Sequence, residues 1–180
     1  MKIRYLVLYG AVVFSGANAQ LLKVPQDHAT IQLAINAAVN GDTVLVSPGT
    51  YLENINFRGK NIVVTSEFEL MNDLSYIDST IIDGSGHTDA DTGSVVLFIS
   101  GEESAAVLQG FTITGGTGTD WIDQDDGLTY NEGGGVLSEA SPTIRFNLFI
   151  NNEANRENSF IEVMCDQTES RLLRYFLQNR

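Results

Sequence analysis

The strongest constraint on this chain is an internal repeat. The segment from Ala106 to Gly116 aligns with that from Thr143 to Asn152, setting Val107 against Ile144, Phe111 against Leu148 and Ile113 against Ile150. The pair Gly115-Gly116 falls against Asn152-Glu153, and each copy follows another apolar run, Val95 to Ile99 and Val136-Leu137. One unit therefore reads strand, turn, strand, corner, strand. A unit of this size cannot bury its inner face alone; stacking on a neighbour supplies the core and leaves two open ends.

Upstream of the repeat the pattern changes once. Ile31, Ala34, Ile35, Ala38 and Val39 form the apolar stripe of a one-sided helix. Asp27 or Thr30 is positioned to cap its start, and Gly41 follows its end. From Thr43 onward there are only short β-branched runs: Thr43 to Val46, Ile62 to Thr65, Thr80 to Asp83 and Val95 to Ile99. Turn residues separate them, at Pro48-Gly49, Arg58-Gly59, Gly84-Ser85-Gly86 and Gly101-Glu102. A leading helix ahead of stacked strands predicts that the helix covers the first open end.

The two termini read differently from this middle. Lys2 and Arg4, the apolar stretch from Tyr5 to Phe14, and Ala17-Asn18-Ala19 make a secretory signal peptide over residues 1–19. Its apolar run is about half of a membrane span, so no span is expected after cleavage. Export sets the expected location outside the cell or on its surface. Cys165 is the single cysteine, so no intrachain disulfide forms. Residues 156–180 abandon the repeat, and Leu172, Leu173, Phe176 and Leu177 fall at helical spacing among arginines. This tail is read as irregular or helical, either covering the last unit or unrelated to it. Formal net charge is −13 for the whole chain, and more negative once Lys2 and Arg4 leave with the signal. Such a surface repels nucleic acid, and repels a polyanion such as pectate unless a divalent cation bridges the two.

The run from Ala29 to Ala38 continuing through Gly41-Asp42-Thr43-Val44-Leu45-Val46-Ser47-Pro48-Gly49-Thr50-Tyr51 resembles the N-terminal cap and first coil of the pectin lyase-like superfamily. The Ile113-Thr114-Gly115-Gly116 and Ile150-Asn151-Asn152 endings are similar to coil endings of the same group. The resemblance covers about residues 24 to 154. It implies an all-β fold: a short right-handed parallel β-helix over residues 20–155 with an N-terminal capping α-helix. It says less about activity, because that superfamily holds lyases, hydrolases, esterases and non-enzymes.

Each enzyme class in the superfamily needs residues that can be sought here. A pectinesterase needs paired aspartates on adjacent coils with glutamines and an arginine; Asp83 is the one inner-face candidate, and the companion motifs are missing. A pectate lyase needs an arginine base in an Arg-x-Pro-x-x-Arg setting, whereas Arg145 follows Pro142. A polygalacturonase needs a carboxylate acid and base; Asp125-Asp126 is adjacent, but no Gly-His-Gly or Arg-Ile-Lys accompanies it. His87 lies in a turn and reads as solvated, and Asn147, Asn151 and Asn152 read as corner residues.

One loop asks for a role. Thr117 to Glu132 interrupts the repeat, and Asp120, Asp123, Asp125, Asp126 and Glu132 offer hard oxygens suited to Ca²⁺. Trp121 and Tyr130 in the same loop are flat rings of the kind that stack on sugars, while a solvated acidic loop with its aromatics folded onto the unit beneath is the plainer reading. The leading expectation is thus a secreted, non-catalytic β-helix module facing a polysaccharide or cell-surface partner. The alternative is a pectate lyase-like or pectinesterase-like enzyme truncated before its catalytic coils.

Overall fold

The computed structural model describes residues 19–71, 73–86, 92–122 and 127–154. The expected signal segment up to residue 18, His87, Asp123, Asp125, Asp126, Cys165 and the tail 156–180 lie outside the described residues. In chain order the elements are β1 (Leu21–Val24), α1 (Ile31–Ala37), β2 (Thr43–Val46), β3 (Gly49–Leu52) and β4 (Ile55–Asn56). Next come β5 (Val63–Ser66), the short helices α2 (Phe68–Met71) and α3 (Ser75–Ser79), β6 (Thr80–Asp83) and β7 (Val96–Phe98). The remainder is β8 (Val107–Gln109), β9 (Thr112–Thr114), β10 (Thr119–Ile122), β11 (Thr129–Glu132), β12 (Val136–Ser138), β13 (Thr143–Arg145) and β14 (Leu148–Phe149).

The fold is all-β, with strands laid into parallel sheets. The first sheet runs β1-β2-β5-β8-β13, the second β3-β6-β9-β14 and the third β4-β7-β12. From β2 onward the chain visits them in a constant order, first, second, third, and begins again. Each circuit adds one strand to each sheet. β10 and β11 pair antiparallel with each other and form a hairpin inserted between β9 and β12.

Register makes the core. Alternate residues of a strand face the same side, so partners in register form columns through the stack. Leu22, Val44, Val64, Leu108 and Ile144 are successive partners in the first sheet. Tyr51, Ile82, Ile113 and Phe149 follow one another in the second, and Ile55, Val96 and Val136 in the third. These columns converge on one cluster, in which the Phe57 and Phe98 rings lie 4.2 Å apart. Each fully buried aliphatic side chain contributes about 1.5–3 kcal/mol. Only neighbours in the stack make that burial available.

The repeat is real, but its register differs by one residue from the alignment of apolar types. Thr143 pairs with Val107, Ile144 with Leu108, Leu148 with Thr112 and Phe149 with Ile113. The reason is backbone conformation. Gly110 and Phe146 both have positive φ, at 84° and 55°, and so do Gly115 and Asn151, at 74° and 53°. Left-handed corners stack on left-handed corners here: glycine takes that region freely and asparagine more readily than most residues with a Cβ, while Phe146 adopts it opposite Gly110.

Side chains then fasten the corners. Asn147 accepts from Phe111 N–H at 3.0 Å and donates to Leu108 C=O at 2.9 Å. Asn152 repeats the device, accepting from Gly116 N–H at 3.0 Å and donating to Ile113 C=O at 2.8 Å. These two asparagines therefore bind the main chain of the preceding circuit, not each other. A further corner is held by Asp42, which accepts from the N–H groups of Val39 and Gln20 at 2.8 Å each. Those bonds hold its carboxyl below the usual carboxylate range, with Val39 the larger cause.

The expected helix forms as α1. Thr30 is its N-cap, accepting from Leu33 N–H at 3.1 Å, while Asp27 instead accepts from Lys23 N–H at 2.9 Å. Ile31, Ala34 and Ile35 are buried, but the helix stops at Ala37 and Val39 is exposed. Both ends are tied to the first circuit. Glu53 accepts from Ile31 and Gln32 N–H at 3.0 and 2.9 Å, and Lys60 Nζ donates to the carbonyls of Ile35, Asn36 and Ala38 at 2.7–2.8 Å. Charges of these signs at these ends also match the helix dipole.

Replacing Asn152 with alanine leaves the Gly116 N–H unsatisfied and takes from Ile113 C=O one of its two donors, the other being Ile150 N–H at 3.1 Å, at a cost of about 1–3 kcal/mol. Asn151→Gly keeps the left-handed corner and should change stability little. Urea denaturation of both variants checks this; equal midpoints would contradict the corner bonding.

Candidate functional site

The hairpin β10–β11 is built outward from a rigid root. The N–H of Thr117 donates to Gly93 C=O at 2.8 Å, and Gly93 bridges antiparallel to Gly118. Any Cβ on Gly93 would collide with the Gly118 carbonyl and the Thr117 hydroxyl. One residue on, the buried hydroxyls of Ser94 and Thr119 are 2.7 Å apart, and Ser94 N–H donates to Thr119 Oγ1 at 3.1 Å. Asn54 Nδ2 donates to Ser94 C=O at 2.9 Å, which links the root to the first circuit. On the return side Val95 N–H donates to Gly134 C=O at 3.1 Å. The loop expected between Thr117 and Glu132 is therefore an anchored ribbon along most of its length.

Register sorts the ribbon's side chains into two faces. Thr119 stands opposite Glu132, Asp120 opposite Asn131, Trp121 opposite Tyr130 and Ile122 opposite Thr129. Alternation places Thr119, Trp121, Tyr130 and Glu132 together, and Asp120, Ile122, Thr129 and Asn131 on the reverse. The first face leans on the body: Thr119 is buried, and Trp121 and Tyr130 are half-buried. Among the described residues, Trp121 Nε1 is buried without a hydrogen-bond partner. The reverse face is wet, with Asp120, Ile122 and Thr129 exposed and Asn131 Nδ2 donating to Asp120 Oδ1 at 3.1 Å. The aromatic pair expected to offer a sugar-stacking surface is thus paired across the strands and half-covered.

For the calcium expectation the consequence is specific. Asp120 and Glu132 point to opposite faces of the ribbon and are not brought together. Asp123, Asp125 and Asp126 lie outside the described residues. Among the described residues no three histidine, cysteine, aspartate or glutamate side chains gather as a metal-binding group.

Two other residues weighed for chemistry find structural places. Asp83 follows the buried Ile82 and so belongs to the outer row of β6, where its Oδ1 accepts from Ser85 N–H at 2.9 Å. It is not an inner-face aspartate. Arg145 Nε donates to Gln109 Oε1 at 2.6 Å, and Gln109 Nε2 donates to Thr65 Oγ1 at 3.2 Å. Thr65, Gln109 and Arg145 are register partners, so this is a polar ladder along the outer row of the first sheet. Thr65 and Gln109 are buried, which makes the ladder a brace between strands. Its signal in the sequence is that each member directly follows an inner aliphatic residue, Val64, Leu108 or Ile144.

Among the described residues no helix is long and apolar enough to cross a membrane. In comparisons with protein-family models, curated proteins and solved structures, nothing matches this chain.

The two faces of the ribbon make the calcium expectation testable. A calcium ion held by this hairpin takes oxygen from Asp120 or from Glu132, but not from both. Calorimetric titration of Asp120→Asn and Glu132→Gln should show one variant weakened and the other like wild type. Equal losses of binding heat from the two would contradict the facing derived from the pairing.

Proposed function

We propose that the chain is a non-catalytic module of a secreted right-handed parallel β-helix, with β10–β11 as its contact element toward a polysaccharide or cell-surface partner. The observation that carries this reading is the constant cyclic visiting of three parallel sheets, with inner columns in register through every circuit. Parallel crossovers within a sheet run right-handed almost without exception, which supplies the hand. In this reading β1 and α1 close the first end. Gln32 supports that role, because its side-chain amide donates to Asn56 C=O at 3.1 Å and accepts from Asn56 N–H at 2.7 Å, taking up the main-chain groups of β4. An open parallel edge otherwise invites pairing with another chain.

The hairpin is favoured as contact element because it is the antiparallel excursion from the stack and exposes a polar reverse face. The acidic surface favours neutral glycans, or acidic ones bridged by a divalent cation. Export through the segment 1–19 places the module outside the cell. Nothing in this role requires a general acid or base.

Incubation of the mature protein with polygalacturonate and with methylated pectin, with and without Ca²⁺, should release no unsaturated product, reducing ends or methanol above a heat-killed control. Co-sedimentation with insoluble cell-wall polysaccharide should be lost when residues 117–133 are replaced by a short glycine-serine linker. Turnover above the control would overturn the non-catalytic assignment, and retained co-sedimentation of the linker variant would overturn the role of the hairpin.

A further inference from the structure

Between α1 and β2 lies the pair Asn40-Gly41, both residues exposed. Gly41 has a φ of +92° and open space where a Cβ would stand. A glycine after asparagine leaves the main-chain nitrogen unobstructed and its torsions free, the conditions under which that nitrogen reaches the asparagine carboxamide. Here both reacting groups are occupied. Asn40 Oδ1 accepts from the main-chain N–H of Asn61 at 3.0 Å, and Gly41 N–H donates to the main-chain carbonyl of the same residue at 2.9 Å. Asn61 belongs to the turn before β5, one circuit on. The clamp is made of main-chain groups, so it holds for as long as the two circuits stay stacked.

We infer that Asn40-Gly41 is a latent self-modification site, silent while the first two circuits are closed on each other and converted to aspartate or isoaspartate when they part. In the open state Gly41 N attacks Asn40 Cγ. The new C–N bond closes a succinimide, the Cγ–Nδ2 bond breaks, and ammonia leaves with the proton that Gly41 N gives up. Water then adds to either ring carbonyl and reopens the ring at one C–N bond. Addition at Cγ gives aspartate, and addition at the main-chain carbonyl gives isoaspartate. Both products carry a new negative charge two residues from Asp42, whose carboxylate accepts from Val39 and Gln20 N–H. Isoaspartate also lengthens the main chain by one carbon at the joint and breaks the pairing with Asn61. A transient opening thus becomes a permanent one.

The test is peptide mapping by mass spectrometry of the mature full chain held at mildly alkaline pH. A synthetic peptide spanning residues 37–46 serves as the unstructured reference. Asn40 in the folded chain should convert at least about tenfold more slowly than in the peptide, since reaction requires local opening. Lys60→Met removes the ammonium that holds the carbonyls of Ile35, Asn36 and Ala38, and should raise conversion roughly tenfold. Urea below the unfolding transition should raise the wild-type rate in a graded way, which keeps the test decisive if Lys60→Met does not fold. Conversion in the wild type at the peptide rate, or a rate unmoved by sub-denaturing urea, overturns the inference.

Discussion

Everything in this molecule depends on parallel strands hydrogen-bonding to the next circuit in strict register. A single circuit has an apolar inner row and no partner for it. Once stacked, Leu22, Val44, Val64, Leu108 and Ile144 become one column, and the other two sheets supply the facing walls. A slip of one residue would turn every column outward, so the corners must be as well defined as the strands. They are. Glycine or asparagine takes up left-handed backbone at Gly115 and Asn151, and side chains of one circuit bond the main chain of its neighbour at Asn147, Asn152 and Glu102. Glu102 is buried and accepts from Gly59 N–H at 2.8 Å and Ser100 N–H at 2.9 Å, joining two stacked turns.

The same constraint explains why insertions occur where they do. Between strands of one circuit the chain is free to leave the stack, provided it returns in register. It does so through α2 and α3 between β5 and β6, and through the hairpin between β9 and β12. The first excursion folds back on the second sheet, where Thr112 Oγ1 donates to Ile77 C=O at 2.9 Å. The second is rooted by Gly93, Ser94 and Thr119. Both excursions are surface segments on a packed scaffold, the setting in which binding residues concentrate.

Much of the scaffold was legible in the residues. The stripe of Ile31, Ala34 and Ile35 is the buried side of α1, and the β-branched runs at Thr43, Ile62, Thr80 and Val95 coincide with β2, β5, β6 and β7 within a residue or two. The weaker strands were not legible. β3 and β4 are four and two residues long and carry glycine, glutamate and asparagine within or around them, so neither alternation nor propensity marks them. The one-residue error in the repeat has a clear cause. Matching by apolar type sets Ile113 on Ile150, whereas the backbone sets Gly115 on Asn151 and leaves Ile150 partly exposed. The candidate site was legible in composition but not in facing. Asp120 and Glu132 are near each other in sequence, and only the pairing of β10 with β11 shows that they turn away from one another.

Nuclear Overhauser contacts across the first sheet report whether the parallel strands stack in this register. Leu108 lies between Val64 and Ile144. With selectively labelled methyl groups, Leu108 should show contacts to both of these residues, and Val64 to Val44 as well. Contacts from Leu108 to one of its two neighbours alone, or close α-proton pairs between β8 and β13 of the kind that only antiparallel strands produce, would contradict the account.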